Sequence, residues 1–125
     1  MREIKFRAWD KFNKKMCEVI DLLFSSSFVV VERDKIPMIE IAFDLVELLQ
    51  FTGLLDKNGK EIYEGDIVKD IIGGELYIIK WSKDWAQFTA EKIKNMNLTM
   101  DLIYSDHFEV IGNVFESPEL LKEVK

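Results

Sequence analysis

Apolar and polar residues alternate along much of this chain, and short clusters of Gly, Asn, Asp and Ser interrupt the alternation. Residues 3–9 set Ile4, Phe6 and Ala8 on one face and Glu3, Lys5, Arg7 and Trp9 on the other. Period two is the mark of a half-buried strand. Asp10-Lys11-Phe12-Asn13-Lys14 predicts a turn, because Asp and Asn side chains bond their own backbone and tolerate positive φ. Met16–Leu23 then predicts a second strand, giving a hairpin. Ser25-Ser26-Ser27 breaks the pattern, and the β-branched run Phe28–Glu32 predicts a third strand. Arg33-Asp34-Lys35 reads as a loop, and Pro37, which lacks an N–H, belongs to a sheet edge or a loop. From Met38 to Phe51 a helical stripe (Ile41, Leu45, Leu48, Leu49) competes with alternation (Ile39, Ile41, Phe43, Leu45), and strand is predicted only for Leu48–Thr52.

The sharpest local signal is Leu54-Leu55-Asp56-Lys57-Asn58-Gly59-Lys60-Glu61-Ile62, where Asn-Gly lies between two apolar-bearing arms. Asn-Gly supplies positive φ at both central positions of a type I′ turn, whose twist suits paired strands. Glu64-Gly65-Asp66 predicts a bend in which the Asp side chain caps nearby amides. Ile67–Ile72, Gly73-Gly74 and Glu75–Trp81 predict another tight hairpin. Its second arm is apolar on both faces, so both should be covered. On that reading Trp81 belongs to the core, whereas Trp85, in the polar loop Ser82–Trp85, is the aromatic best placed for exposure. Gln87–Ile93 predicts a strand. Met96, Met100 and Ile103 have the spacing of a short helix over Asn95–Tyr104. Phe108–Phe115 predicts a strand broken or bulged at Gly112. Ser117-Pro118-Glu119 opens a short C-terminal helix, with Ser as N-cap, Pro at the first helical position and Glu where the helix dipole favours an anion. Lys122 and Lys125 suit its far end.

Short strands, tight turns and few helices predict a mainly β fold. The strand lengths from about 50 to 115 fit an SH3-like small β-barrel. The expected organisation is one domain over 1–125. It comprises an N-terminal β-hairpin extension (1–47), the barrel (48–117) and a short C-terminal helix with its tail (118–125).

With 125 residues, 48% of them hydrophobic, the chain can bury a core without metal or disulfide staples. Its one cysteine, Cys17, allows no intrachain disulfide and suits a reducing compartment. No apolar run approaches the ~20 residues of a membrane span or resembles a signal peptide. A cytoplasmic protein is expected. The net charge of −6 argues against nucleic acid as partner, because phosphate backbones select basic surfaces. A local basic cluster at Arg2, Lys5, Arg7, Lys11, Lys14 and Lys15 reads as a solvated strand face and turn.

Three blocks carry a family likeness. They are Met-Arg-Glu-Ile-Lys-Phe-Arg-Ala-Trp-Asp at 1–10, Gln50–Leu54 continuing through Asp56–Val68, and Val110–Leu121. Together they resemble YopX-like proteins, a family of bacteriophages and prophages. Phe51 stands where that family often has Tyr, and Leu55 where Lys is frequent; 84–106 carries no family signature. The resemblance implies a fold containing an SH3-type barrel, a phage or prophage origin and residence in a bacterial cytoplasm. It implies no reaction and no catalytic residues.

Candidate chemistry is sparse. His107, the one histidine, has no nucleophile or orienting partner at a recognisable spacing. Cys17 sits inside an alternating strand and reads as a small core or face residue. Glu61, Glu64 and Asp66 surround Tyr63, but they do not match a calcium-loop pattern and read as turn carboxylates. Gly73-Gly74 lacks the spacing of a phosphate loop. No catalytic residue, metal site or cofactor is therefore predicted, and the chain reads as a non-enzymatic protein-interaction module. Trp9, Tyr63, Trp81 and Trp85 are its candidate interaction surface, since aromatics bury much area at low entropic cost. The expected partner is a host or phage protein, or a second copy in a homo-oligomer. Two alternatives are a nucleic-acid-associated protein using the basic N-terminal hairpin, and an acidic DNA mimic that inhibits a host protein.

Overall fold

The computed structural model describes residues 2–94 and 98–122, leaving the side chains of Ile103 and Tyr104 aside. The chain divides into two compact units, residues 1–50 and 51–125.

In the first unit β1 (Phe6–Asp10), β2 (Lys15–Leu23), β3 (Phe28–Arg33) and β4 (Ile36–Ala42) follow one another as antiparallel neighbours. A 3₁₀ turn at Phe43–Leu45 leads into β5 (Val46–Leu55), whose first half pairs with β1. The ambiguous stretch 38–51 is therefore strand, interrupted by that single turn. The register explains the core. Val31 lies opposite Val19 and Ile39, Val29 opposite Leu22 and Ile41, and Ala8 opposite Cys17 and Leu48. These apolar side chains share one face and enclose buried Ala8, Cys17, Val29, Val31 and Val46. Each fully buried valine contributes roughly 1.5–2 kcal/mol of transfer energy. Pro37 sits on the outer strand β4, where its missing N–H leaves no ladder bond unmade. The register slips beside it, and Met38 takes a φ of 62°.

In the second unit the rest of β5 pairs with β6 (Glu61–Tyr63). An antiparallel sheet follows in the order β10-β9-β8-β7-β11. It is built from β7 (Asp66–Asp70), β8 (Leu76–Ser82), β9 (Gln87–Lys92), β10 (Thr99–Asp101) and β11 (Phe108–Asn113). Ile62, Val68, Tyr77, Ile79, Ala90, Leu102 and Phe108 form its core. The mainly β expectation holds. The closed barrel expected over 48–117 does not, because this sheet is open, with β10 and β11 at its two edges.

Three further expectations are corrected. Residues 95–97 of the expected helix lie outside the described residues, and Thr99–Asp101 is strand, paired to Thr89–Glu91. A 3₁₀ turn follows at Leu102–His107. The C-terminal helix is a four-residue 3₁₀ turn, Pro118–Leu121, in which Ser117 makes no side-chain cap bond; 123–125 lie outside the described residues. The Asn58-Gly59 hairpin is not a type I′ turn, since Gly59 has a positive φ and Asn58 does not. The Gly59 amide instead donates to the Asp56 carbonyl (3.0 Å), a type I turn closed by a glycine bulge. Positive φ at both central positions occurs at Asp34 and Lys35, between β3 and β4, without any glycine.

Bends at Gly65 and Gly112 follow the sequence more closely. Asp66 Oδ2 accepts the Tyr63 amide at 2.7 Å, so this carboxylate does cap its bend. The β7–β11 register slips between Val110 and Gly112, as a bulge requires. A Cβ at Gly112 would lie 2.5 Å from Ser117 Oγ and 3.1 Å from Leu120 Cδ1. The missing side chain is thus the seat of the Pro118–Leu121 turn.

Four hairpin loops share one form, with four residues of which the last has positive φ: Lys14 (57°), Ser27 (60°), Gly74 (75°) and Ala86 (54°). In two of them that residue's amide donates back to the strand-end carbonyl: Lys14 to Asp10 (2.8 Å) and Gly74 to Asp70 (2.7 Å). Side chains of strand-end residues brace three. Asp10 Oδ1 accepts the Phe12 and Asn13 amides, Asp70 Oδ1 that of Ile72, and Ser82 Oγ that of Trp85. Among the described residues no helix is long and apolar enough to cross a membrane.

Candidate functional site

The β8–β9 hairpin brings two of the four candidate aromatics together. Along β8, Tyr77 and Ile79 face the core, and period two places Trp81 next on that face. Trp81 lies opposite Phe88, with ring centroids 5.0 Å apart at 76°. Such an edge-to-face pair is worth about 0.5–1.5 kcal/mol beyond its buried area. Strand β7 pairs with β8 only over Leu76–Ile78, so the hairpin's far end reaches beyond β7. Trp81 is 49% exposed there, contrary to its expected core position. The apolar run is buried at Tyr77, Ile78 and Ile79, and Trp81 lies beyond the stretch that pairs with β7.

Trp85 sits in the following loop, 51% exposed as expected, with its amide donating to Ser82 Oγ at 3.2 Å. The positive φ of Ala86 turns the chain back into β9. The tip thus carries two half-exposed indoles, of which Trp81 is braced by Phe88.

The other candidates lie elsewhere. Trp9 is half-buried on β1 of the first unit, opposite Met16 and Glu47. Tyr63 ends β6 with its ring 5.5 Å from Phe51, and its hydroxyl donates to Glu61 Oε1 at 3.3 Å. Phe12 (85% exposed) and Phe24 (73%) were not among the candidates. Both occupy hairpin loops next to polar residues, and that position is the signal that marks them.

The ionisable groups serve the backbone. Asp10 is buried, and its carboxylate binds the Phe12 and Asn13 amides, the Asn13 side chain (2.9 Å) and the Arg33 guanidinium. Burial opposes its ionisation, but these bonds and the Arg33 charge together hold it below the usual carboxylate range. Burial likewise opposes ionisation of Asp56, and three backbone amides (Val110, Lys60 and Asn58) with the Lys60 charge outweigh it. Burial pushes the Cys17 thiol up, as befits a core residue. His107 is half-buried ahead of β11, and its carbonyl accepts the Ile71 amide at 2.9 Å. No cluster of His, Cys, Asp and Glu that could hold a metal occurs among the described residues.

Three of the six residues of the N-terminal basic cluster stand beside carboxylates. Lys5 lies 3.6 Å from Glu3, Lys11 3.6 Å from Glu47, and Lys15 2.8 Å from Asp34. An open groove of about 300 Å³ in the first unit is lined by Ile4, Phe6, Val19, Ile20 and Leu22, with Lys5 and Asp21 as its ionisable residues.

The family model described as YopX protein matches residues 5–122. This chain belongs to the YopX family. It is similar in structure to protein EF1440 from Enterococcus faecalis, with 29% identity over 97% of this chain and 99% of that one (TM-score 0.69). It also shares its fold with protein yopX from Bacillus subtilis, at 19% identity over the whole of both chains (TM-score 0.62). The search of curated proteins returns no match.

Proposed function

We propose that this YopX-family protein is a non-enzymatic protein-interaction module of phage or prophage origin, working in the bacterial cytoplasm. The β8–β9 tip is its contact surface. The observation that carries this reading is the pair of half-exposed indoles, Trp81 and Trp85, on one hairpin that reaches past its neighbouring strand. Rigid aromatics braced in this way form interface hot spots at low entropic cost. A host or phage protein, or a second copy of the chain, is the partner this surface suits. The pairing of Lys5, Lys11 and Lys15 with carboxylates weighs against the nucleic-acid alternative, because a carboxylate beside each cation repels a phosphate backbone.

The test compares tagged wild-type protein with the double variant Trp81→Ala/Trp85→Ala in host lysate, with and without phage infection. A protein retained by the wild type and lost by the folded double variant supports the tip as the contact surface. Identical retained proteins in both would remove it.

A further inference from the structure

Within the second unit, the loop between β5 and β6 reaches the outer edge of β11. The Lys57 amide donates to the Phe108 carbonyl at 3.0 Å, and the Val110 amide donates to Asp56 Oδ2 at 2.9 Å. Asn58 Nδ2 adds a longer contact to Glu109 Oε2 at 3.4 Å. Strand β11 faces β7 through its alternate residues, as the Ile71 amide on the His107 carbonyl shows. Phe108 and Val110 therefore turn their backbone groups outward. Those outward groups are the ones a neighbouring strand would bind, and the loop binds one of each kind. The second acceptor is a side-chain carboxylate in place of a backbone carbonyl. Its other oxygen, Oδ1, accepts the Asn58 and Lys60 amides at 2.8 and 2.9 Å, which fixes the turn that aims it.

We infer that the Asp56–Lys57 loop is a clasp that guards the β11 edge against strand addition. Opening it exposes a pairing edge on which a second copy of this chain can dock. The second copy is the occupant because an antiparallel edge is self-complementary about a two-fold axis, so two freed β11 strands supply each other's missing bonds. The sheet's other edge offers less, since β10 has three residues. β11, with six, is long enough to be worth guarding.

Asp56→Asn isolates the clasp. An Asn oxygen still accepts the Asn58 and Lys60 amides and keeps the turn, but its NH₂ meets the Val110 N–H donor to donor. The Val110 amide should then exchange with solvent about tenfold faster or more, with Asn58 and Lys60 unchanged. By light scattering, the variant should show a concentration-dependent mass above that of the wild type at equal concentration. Lys57→Pro is the second variant, because Pro fits position i+1 of a type I turn yet removes the donor to Phe108. It should raise the mass in the same direction. An unchanged Val110 exchange rate in Asp56→Asn overturns the clasp. A freed Val110 amide with the wild-type mass in both variants overturns its guarding role.

Discussion

Asp10 and Asp56 are both buried, and both stand at the first corner of a hairpin with an oxygen on the amides two and three or four residues ahead. Their remaining oxygens do different work. That of Asp10 meets a charge, Arg33, and the Asn13 amide group, all within the first unit. That of Asp56 meets the backbone of a strand 54 residues away. The same turn chemistry is used once to pair a half-buried cation and once to fasten a loop to a strand edge. The local motif therefore does not reveal the tertiary role of the carboxylate.

Several changes would break this contrast or sharpen it. Asp56→Ala should have the largest effect, about 3 kcal/mol or more of lost stability in urea unfolding. It strips acceptors from three amides at once, two in its own turn and one on β11. Asp10→Ala should cost somewhat less, about 2–3 kcal/mol, because it strips two backbone amides, those of Phe12 and Asn13, where Asp56→Ala strips three. Adding Arg33→Met to it should recover part of that loss, since a partly buried cation without its partner is the costly state. A double variant no more stable than Asp10→Ala would show that Arg33 contributes nothing through its charge.

Acid should separate the two sites less sharply. Both carboxylates ionise more easily folded than unfolded, so the unfolded chain takes up protons first. The stability they confer is complete above the unfolded carboxylate pKa of ~4, and it is lost as pH falls through their lower folded values. The urea midpoint of the wild type should drop through that window, and removing either aspartate should flatten the drop. The smallest expected effects concern the loop-ending residues. Ala86→Gly should stabilise by about 0.5–1 kcal/mol, because relief of a left-handed Ala outweighs the added freedom of the unfolded chain. Gly74→Ala, where a Cβ meets nothing within 4 Å, should cost about as much in the opposite sense.

Much of this architecture is legible in the residues. The alternation of Phe6–Ala8 and Met16–Leu23, the bend at Asp66 and the bulge at Gly112 all act over a few residues, and each appears where the pattern predicts, although the first strand starts at Phe6 and leaves Ile4 outside it. Two failures share a physical cause, which is that the deciding partner lies on another strand. Trp81 reads as core because its own arm is apolar on both faces, but its exposure depends on where β7 ends. Thr99–Asp101 reads as helix, yet β9 recruits it as a strand. Asn58-Gly59 marks the hairpin correctly, while its turn class is set by the Asp56 carboxylate. The aromatic tip was half legible, since Trp85 betrays itself by its polar loop.

The strand order also governs how the chain can fold during synthesis. Strands β1 to β4 each pair with the next, and β5 returns to β1 by residue 50, so the first sheet can assemble as its residues leave the ribosome. The second sheet cannot. Its strand β7 needs β11, whose bulge in turn seats the turn at Pro118–Leu121. A polypeptide stopped before residue 108 would carry a finished first sheet and a second one with an open, unguarded flank, a ready substrate for proteolysis.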